Sequence, residues 1–133
     1  MSIFDWQEAY VIDHAMIDEQ HKKLLVIAEK LFNAVIAKED TKIVETAFQD
    51  LLAYTQKHFK DEEDFFISAG APQVDKHQTE HAILAQELVE VWQKESLGFE
   101  EEPGRTLLTW VEDRLLPHMM IDDQETYKSQ MTA

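Results

Sequence analysis

The amino-acid sequence predicts an all-α protein: an up-down-up-down four-helix bundle with an irregular N-terminal arm, forming one domain over residues 1–133. Two observations point there. Only three glycines and three prolines punctuate 133 residues, which leaves uninterrupted segments of helical length. Within those segments apolar residues recur at the 3.6-residue period of an amphipathic helix.

Residues 1–16 read as the arm, with Phe4, Trp6 and Tyr10 as apolar anchors. The first helix starts near Asp18, carries Ile17, His21, Leu24, Leu25, Ala28, Leu31, Phe32 and Val35 on one stripe, and ends near Ala37 or Lys38. Thr41 follows a short polar run and suits an N-cap. From there Ile43, Val44, Ala47, Phe48, Leu51, Leu52, Tyr54, Thr55, His58 and Phe59 continue the period into a second helix, which stops near Ala69-Gly70, glycine being the favoured C-cap. The third helix begins at Ala71-Pro72-Gln73, places His77, His81, Leu84, Leu88 and Val91 on or near one stripe, and runs to Leu97-Gly98. A fourth spans about Gly104 to Lys128. Pro117 falls inside it and should bend it or remove one backbone hydrogen bond. Four such helices with short connections make a bundle over residues 17–128, whose core is a natural place for a metal site.

A chain of this length with 44% hydrophobic residues can enclose a core. It has no cysteine, so disulfides, zinc fingers and iron–sulfur clusters are excluded, and any metal must be held by nitrogen and oxygen donors. With 12 Lys+Arg against 27 Asp+Glu, the formal charge is −15. That balance argues against a nucleic-acid partner, which needs a basic footprint. The opening MSIFDWQEAY has neither a basic nor an apolar signal-like region, and no apolar run reaches membrane-spanning length. A soluble, cytoplasmic monomer is expected.

The histidines carry the chemistry. His58 begins HFKDE, with Glu62 at i+4, and His77 and His81 form HQTEH at the same spacing. Residues four apart lie about 40° apart in azimuth and about 6 Å along the axis, so each pair can address one metal region. His21 and His118 add one imidazole from each remaining helix. A lone histidine on an apolar stripe is usually a satisfied core residue, but one from every helix, converging on one level, would be costly to desolvate without a metal. Imidazole and carboxylate donors suit iron, zinc or manganese, and a carboxylate can bridge two ions.

Trp6 fifteen residues before His21, the runs IDEQHK (17–22) and YTQKHFKDEE (54–63), the HQTEH at 77–81, and His118 with Asp123 five residues on together resemble the hemerythrins, and more closely the single-domain bacteriohemerythrins. The resemblance covers nearly the whole chain. It implies a non-haem di-iron centre with a bridging oxo or hydroxo group. His77, His81 and His118 match the three-histidine set, His21 and His58 the two-histidine set, and Glu62 and Asp123 the bridging carboxylates. It further implies reversible dioxygen binding, for storage, delivery or sensing, at the open position of the two-histidine iron, without enzymatic turnover.

Regular helical geometry and the resemblance disagree at one residue. On an ideal helix Asp122, at i+4, shares the face of His118, whereas Asp123 lies about 140° away. The resemblance selects Asp123, which requires a helix distortion or a different approach, and leaves Asp122 as a surface or supporting group. His14 is expected to be an exposed arm residue, and the acidic run 61–64 a solvated face apart from Glu62. Ile17, Leu25, Tyr54, Phe59, Leu115 and Met119 are candidates to seal the site, and Gln20 and Tyr54 to orient imidazoles. The competing readings are a di-iron peroxidase, oxidase or nitric-oxide-reducing enzyme on the same ligands, and a histidine phosphotransfer domain. The second leaves four histidines unexplained.

Overall fold

His14 sets the start of the first helix, α1 (Ala15–Ile36). Its Nδ1 accepts the Ile17 amide at 3.3 Å, and it stands in extended backbone immediately before the helix. The helix therefore opens three residues earlier than the apolar stripe predicts, and Asp18 falls in the first turn, where its carboxylate accepts the Ile12 amide. A computed structural model describes residues 3–12, 14–72, 74–97 and 103–126, and Gln73, Gly98 and Lys128, named above as helix ends, lie outside them.

At the end of α1, Lys38 takes the left-handed conformation (φ 53°) usually left to glycine. The Asp40 carboxylate accepts the Lys42 amide and opens α2 (Thr41–Ser68), so Asp40 is the cap and Thr41 the first helical residue. Gly70, at φ 70°, lets the chain leave α2. The helix α3 (Val74–Leu97) starts after the Pro72 turn rather than within it.

Gly104 precedes α4 at φ 85°, and a Cβ there would come within 2.9 Å of the Phe32 ring. From that close approach α4 begins as Arg105–Trp110 and carries on through two π-helical stretches, Val111–Leu115 and His118–Asp123, to residue 126. Pro117 sits between the wide turns with ordinary helical dihedrals. The expected disturbance is thus two local widenings of the helix.

Consecutive helices pack on each other, completing the four-helix bundle, and no strand occurs among the described residues. The half built from Leu31, Phe48, Leu51, Leu88 and Leu107 is apolar, and Phe48 stacks on Trp92 with centroids 4.7 Å apart. Each such side chain contributes about 1.5–3 kcal/mol by leaving water, which offsets the cost of burying ionisable groups in the other half. The arm is more ordered than expected: Phe4, Tyr10 and Ile12 are buried, a 3-10 turn spans Glu8–Tyr10, and the Gln124 amide donates to the Ala9 carbonyl. Among the described residues, no helix is long and apolar enough to cross a membrane.

Candidate metal centre

Antiparallel alternation brings the start of α1, the end of α2, the start of α3 and the end of α4 to one end of the bundle. All seven residues singled out from the sequence meet there: His21, His58, Glu62, His77, His81, His118 and Asp123, each at most 3% exposed. Their donor atoms fall into two overlapping groups. One comprises Glu62, His77, His81, His118 and Asp123, the other His21, His58, Glu62 and Asp123, and within each group the atoms lie within 4.8 Å of one another.

The two shared carboxylates divide their oxygens between the groups. Glu62 Oε1 lies 3.0 Å from Nε2 of both His77 and His81, while its Oε2 faces Nε2 of His21 and His58 at 3.5 and 3.6 Å. Asp123 Oδ1 lies 2.6 Å from His77 Nε2 and 3.0 Å from His118 Nε2, and its Oδ2 lies 3.1 Å from His21 Nε2. Each carboxylate thus turns one oxygen toward each histidine group.

Asp123 reaches this position because His118–Asp123 is π-helical. Hydrogen bonding from i to i+5 widens the turn and brings residue i+5 onto the face that i+4 would occupy in an α-helix. The conflict at this residue is resolved by helix distortion. Asp122, 43% exposed, lies behind the ring instead, with a carboxylate oxygen 3.2 Å from His118 Nδ1.

Similar partners hold most of the other rings. The Gln20 amide donates to Asp61, so its carbonyl must face His58, and His58 Nδ1–H donates to it at 2.8 Å. That bond leaves the His58 Nε2 lone pair free for a cation. His81 Nδ1 donates to the Glu63 carboxylate at 2.6 Å, and His77 Nδ1 lies 3.0 Å from Thr126 Oγ1. Phe59 stacks on the His81 ring at 4.0 Å.

Sequence reasoning missed Glu63 and Thr126. Glu63 belongs to the run 61–64, of which only Glu62 was expected to turn inward, and its partner lies on another helix. Thr126 sits three residues after Asp123, a same-face spacing that could have revealed it. Gln20 orients an imidazole as anticipated. Tyr54 instead lies under the Lys23 ammonium, 5.1 Å from its ring centroid. Ile17, Leu25, Phe59, Leu115 and Met119 are all buried. His14 is half-buried against Phe65, not an exposed arm residue, and plays a capping role.

The electrostatics suit a cation. Burial pulls the His21, His77 and His118 imidazoles down, but the neighbouring carboxylates of Asp123, Glu62 and, for His118, Asp122 outweigh it and raise them to about 9, 9 and 10. Burial dominates at His58 and lowers it to about 4. Burial also works against the Glu62 and Asp123 carboxylates, yet the surrounding imidazoles hold both well below the usual carboxylate range. Among the described residues Glu62 Oε2, Asp123 Oδ2 and His21 Nε2 find no hydrogen-bond partner, and His81 and His118 turn Nε2 atoms toward each other at 3.1 Å. Buried acceptors left this way are expensive. Metal ions between them would satisfy all of them together, so the donor set fits a pair of nitrogen- and oxygen-ligated ions.

A family model described as hemerythrin HHE cation binding domain matches residues 13–128. The chain is 26% identical to a bacteriohemerythrin of Stenotrophomonas maltophilia over 133 residues, covering all of this chain and 84% of the relative. It is 27% identical to a bacteriohemerythrin of Campylobacter jejuni over 117 residues, 88% of this chain and 87% of the relative. A hemerythrin-like protein of Naegleria gruberi is 30% identical over 86 residues, 65% of this chain and 66% of the relative. Matched across most of its length, with the histidine and carboxylate cluster at one end of the bundle, this chain belongs to the hemerythrin family of HHE cation-binding domains.

Proposed function

We propose that the protein binds dioxygen reversibly at a di-iron centre held by His77, His81 and His118 on one side, His21 and His58 on the other, and Glu62 and Asp123 between them. The observation that carries this reading is the division of each carboxylate's two oxygens between the two histidine groups. A single-ion site would not need both. Two ferrous ions held there would supply the two electrons that reversible capture of dioxygen requires.

The remaining work falls to the chain's own residues. Glu63, Gln20, Asp122 and Thr126 hold four imidazoles by Nδ1, so each keeps Nε2 turned inward. Ile17, Leu25, Phe59, Leu115 and Met119 keep the site dry, which slows proton-assisted loss of the bound gas. Five neutral imidazoles against two carboxylates place little negative charge on the ions, and so favour carrying oxygen over cleaving it.

Anaerobic addition of ferrous iron should load two ions per chain, and air should then produce a visible charge-transfer band that fades under argon. Loading of one ion or none would defeat the di-iron reading. A band that never reverses, with peroxide consumed, would instead identify a redox enzyme on the same ligands.

A further inference from the structure

Thr55 is fully buried, and its hydroxyl is the only one among the described residues found buried without a hydrogen-bond partner. A helical threonine ordinarily returns its hydroxyl to the carbonyl four residues back. Thr55 does not bond Leu51 in this way. It precedes His58 by three residues and Phe59 by four, so all three share one face of α2. Because α1 runs antiparallel to α2, the turn after His21, carrying the buried Leu24 and Leu25, lies level with the turn before His58, which carries Thr55. Thr55 is thus a buried polar atom one turn interior to His58 on the face of α2 that carries His58.

That group has one protein donor fewer than its neighbour. Along α2, Glu62 stands one turn beyond His58, toward the bundle end, and Thr55 about one turn before it, on the interior side. We infer that the Thr55 hydroxyl donates a hydrogen bond to the small ligand, dioxygen or a small linear anion, that a metal held by His21 and His58 would take. The inference rests on the di-iron reading above. It accounts for an unbonded hydroxyl kept at a cost to stability in a layer where valine would pack as well.

Azide binding to the ferric, iron-loaded protein tests it, through the visible absorption titration and the vibrational bands of bound azide in H2O and D2O. Thr55→Val should load two irons yet bind azide about five- to tenfold more weakly, the worth of one hydrogen bond. Its azide bands should lose the D2O shift that wild type shows, and its metal-free form should melt higher than wild type. Thr55→Ser should restore affinity and shift, and Thr55→Ala should repeat the loss should the valine variant fail to fold. Wild-type affinity with an unchanged D2O shift in both Thr55→Val and Thr55→Ala would overturn the inference alone. A wild-type protein that loads fewer than two irons would overturn the di-iron reading, and the inference with it.

Discussion

The two halves of the centre differ less in their ligands than in what stands behind them. In the three-histidine half, carboxylates of Glu63 and Asp122 back His81 and His118, and Thr126 backs His77. In the two-histidine half, His58 rests on the neutral Gln20 amide, and His21 Nδ1 has no partner among the described residues. A carboxylate behind an imidazole both orients the ring and raises its basicity, whereas an amide carbonyl mainly orients it. One half is therefore built to grip a cation. The other has fewer donors and weaker support behind its rings. Under the proposed function, that division would let the site retain metal while exchanging a small ligand.

The comparison can be broken most completely at the residues both halves share. Glu62→Ala or Asp123→Ala should abolish two-ion loading, because either change removes a donor from both groups; metal analysis after anaerobic loading and desalting checks it. Removing a ligand from one half should do less. His58→Ala leaves the other five-donor group whole, and loading should fall from two ions to one. The same measurement showing no metal at all would mean that the halves assemble only together.

Changes behind the ligands sharpen the contrast. Glu63→Gln removes the charge behind His81 and should weaken metal binding by about 10–100-fold in chelator competition. Gln20→Leu, which leaves His58 Nδ1 unbonded, should cost less affinity. Equal losses would show that ring orientation, not charge, is what these partners supply.

The metal-free protein should also respond to pH, with His58 set apart from the other three shifted imidazoles. The imidazoles raised to about 9–10, His21, His77 and His118, stabilise the fold fully below their unfolded value near 6.5, and that contribution is lost as pH rises through 9–10. His58, lowered to about 4, acts in the opposite sense: between about 4 and 6.5 the unfolded chain takes up its proton more readily, so stability rises with pH there. The depressed carboxylates add a further loss in acid. Urea melts of the metal-free chain should be most resistant near pH 6–7 and weaken steadily toward pH 9, a decline that loading with iron should suppress. The smallest effect is expected outside both halves. His14→Ala removes the α1 cap, at about 0.5–2 kcal/mol, and should leave two-ion loading intact in the metal analysis.

Much of this was legible along the chain because it depends on spacing within single helices. The pairs His58/Glu62 and His77/His81 follow from i,i+4 geometry, and the apolar stripes announce the four helices, since burying one face demands that period. Relations between helices carry no such local signature. Glu63 reads as one more surface acid until α3 brings His81 against it, and Thr126 gains meaning only beside His77. His14 looked like arm because a histidine cap gives no familiar sequence signal, and the cap is recognised by its bond to Ile17.

The sequence by itself determined the number of helices, their inward faces and which residue types could bind metal, for these follow from composition and from a period each segment carries alone. Tertiary structure decided the rest. The π turn that swings Asp123 onto the face of His118, the division of two carboxylates between two histidine groups, and the partner behind each imidazole depend on how four helices lie against one another. That arrangement minimises the cost of burying seven polar side chains together, and no segment can express it alone.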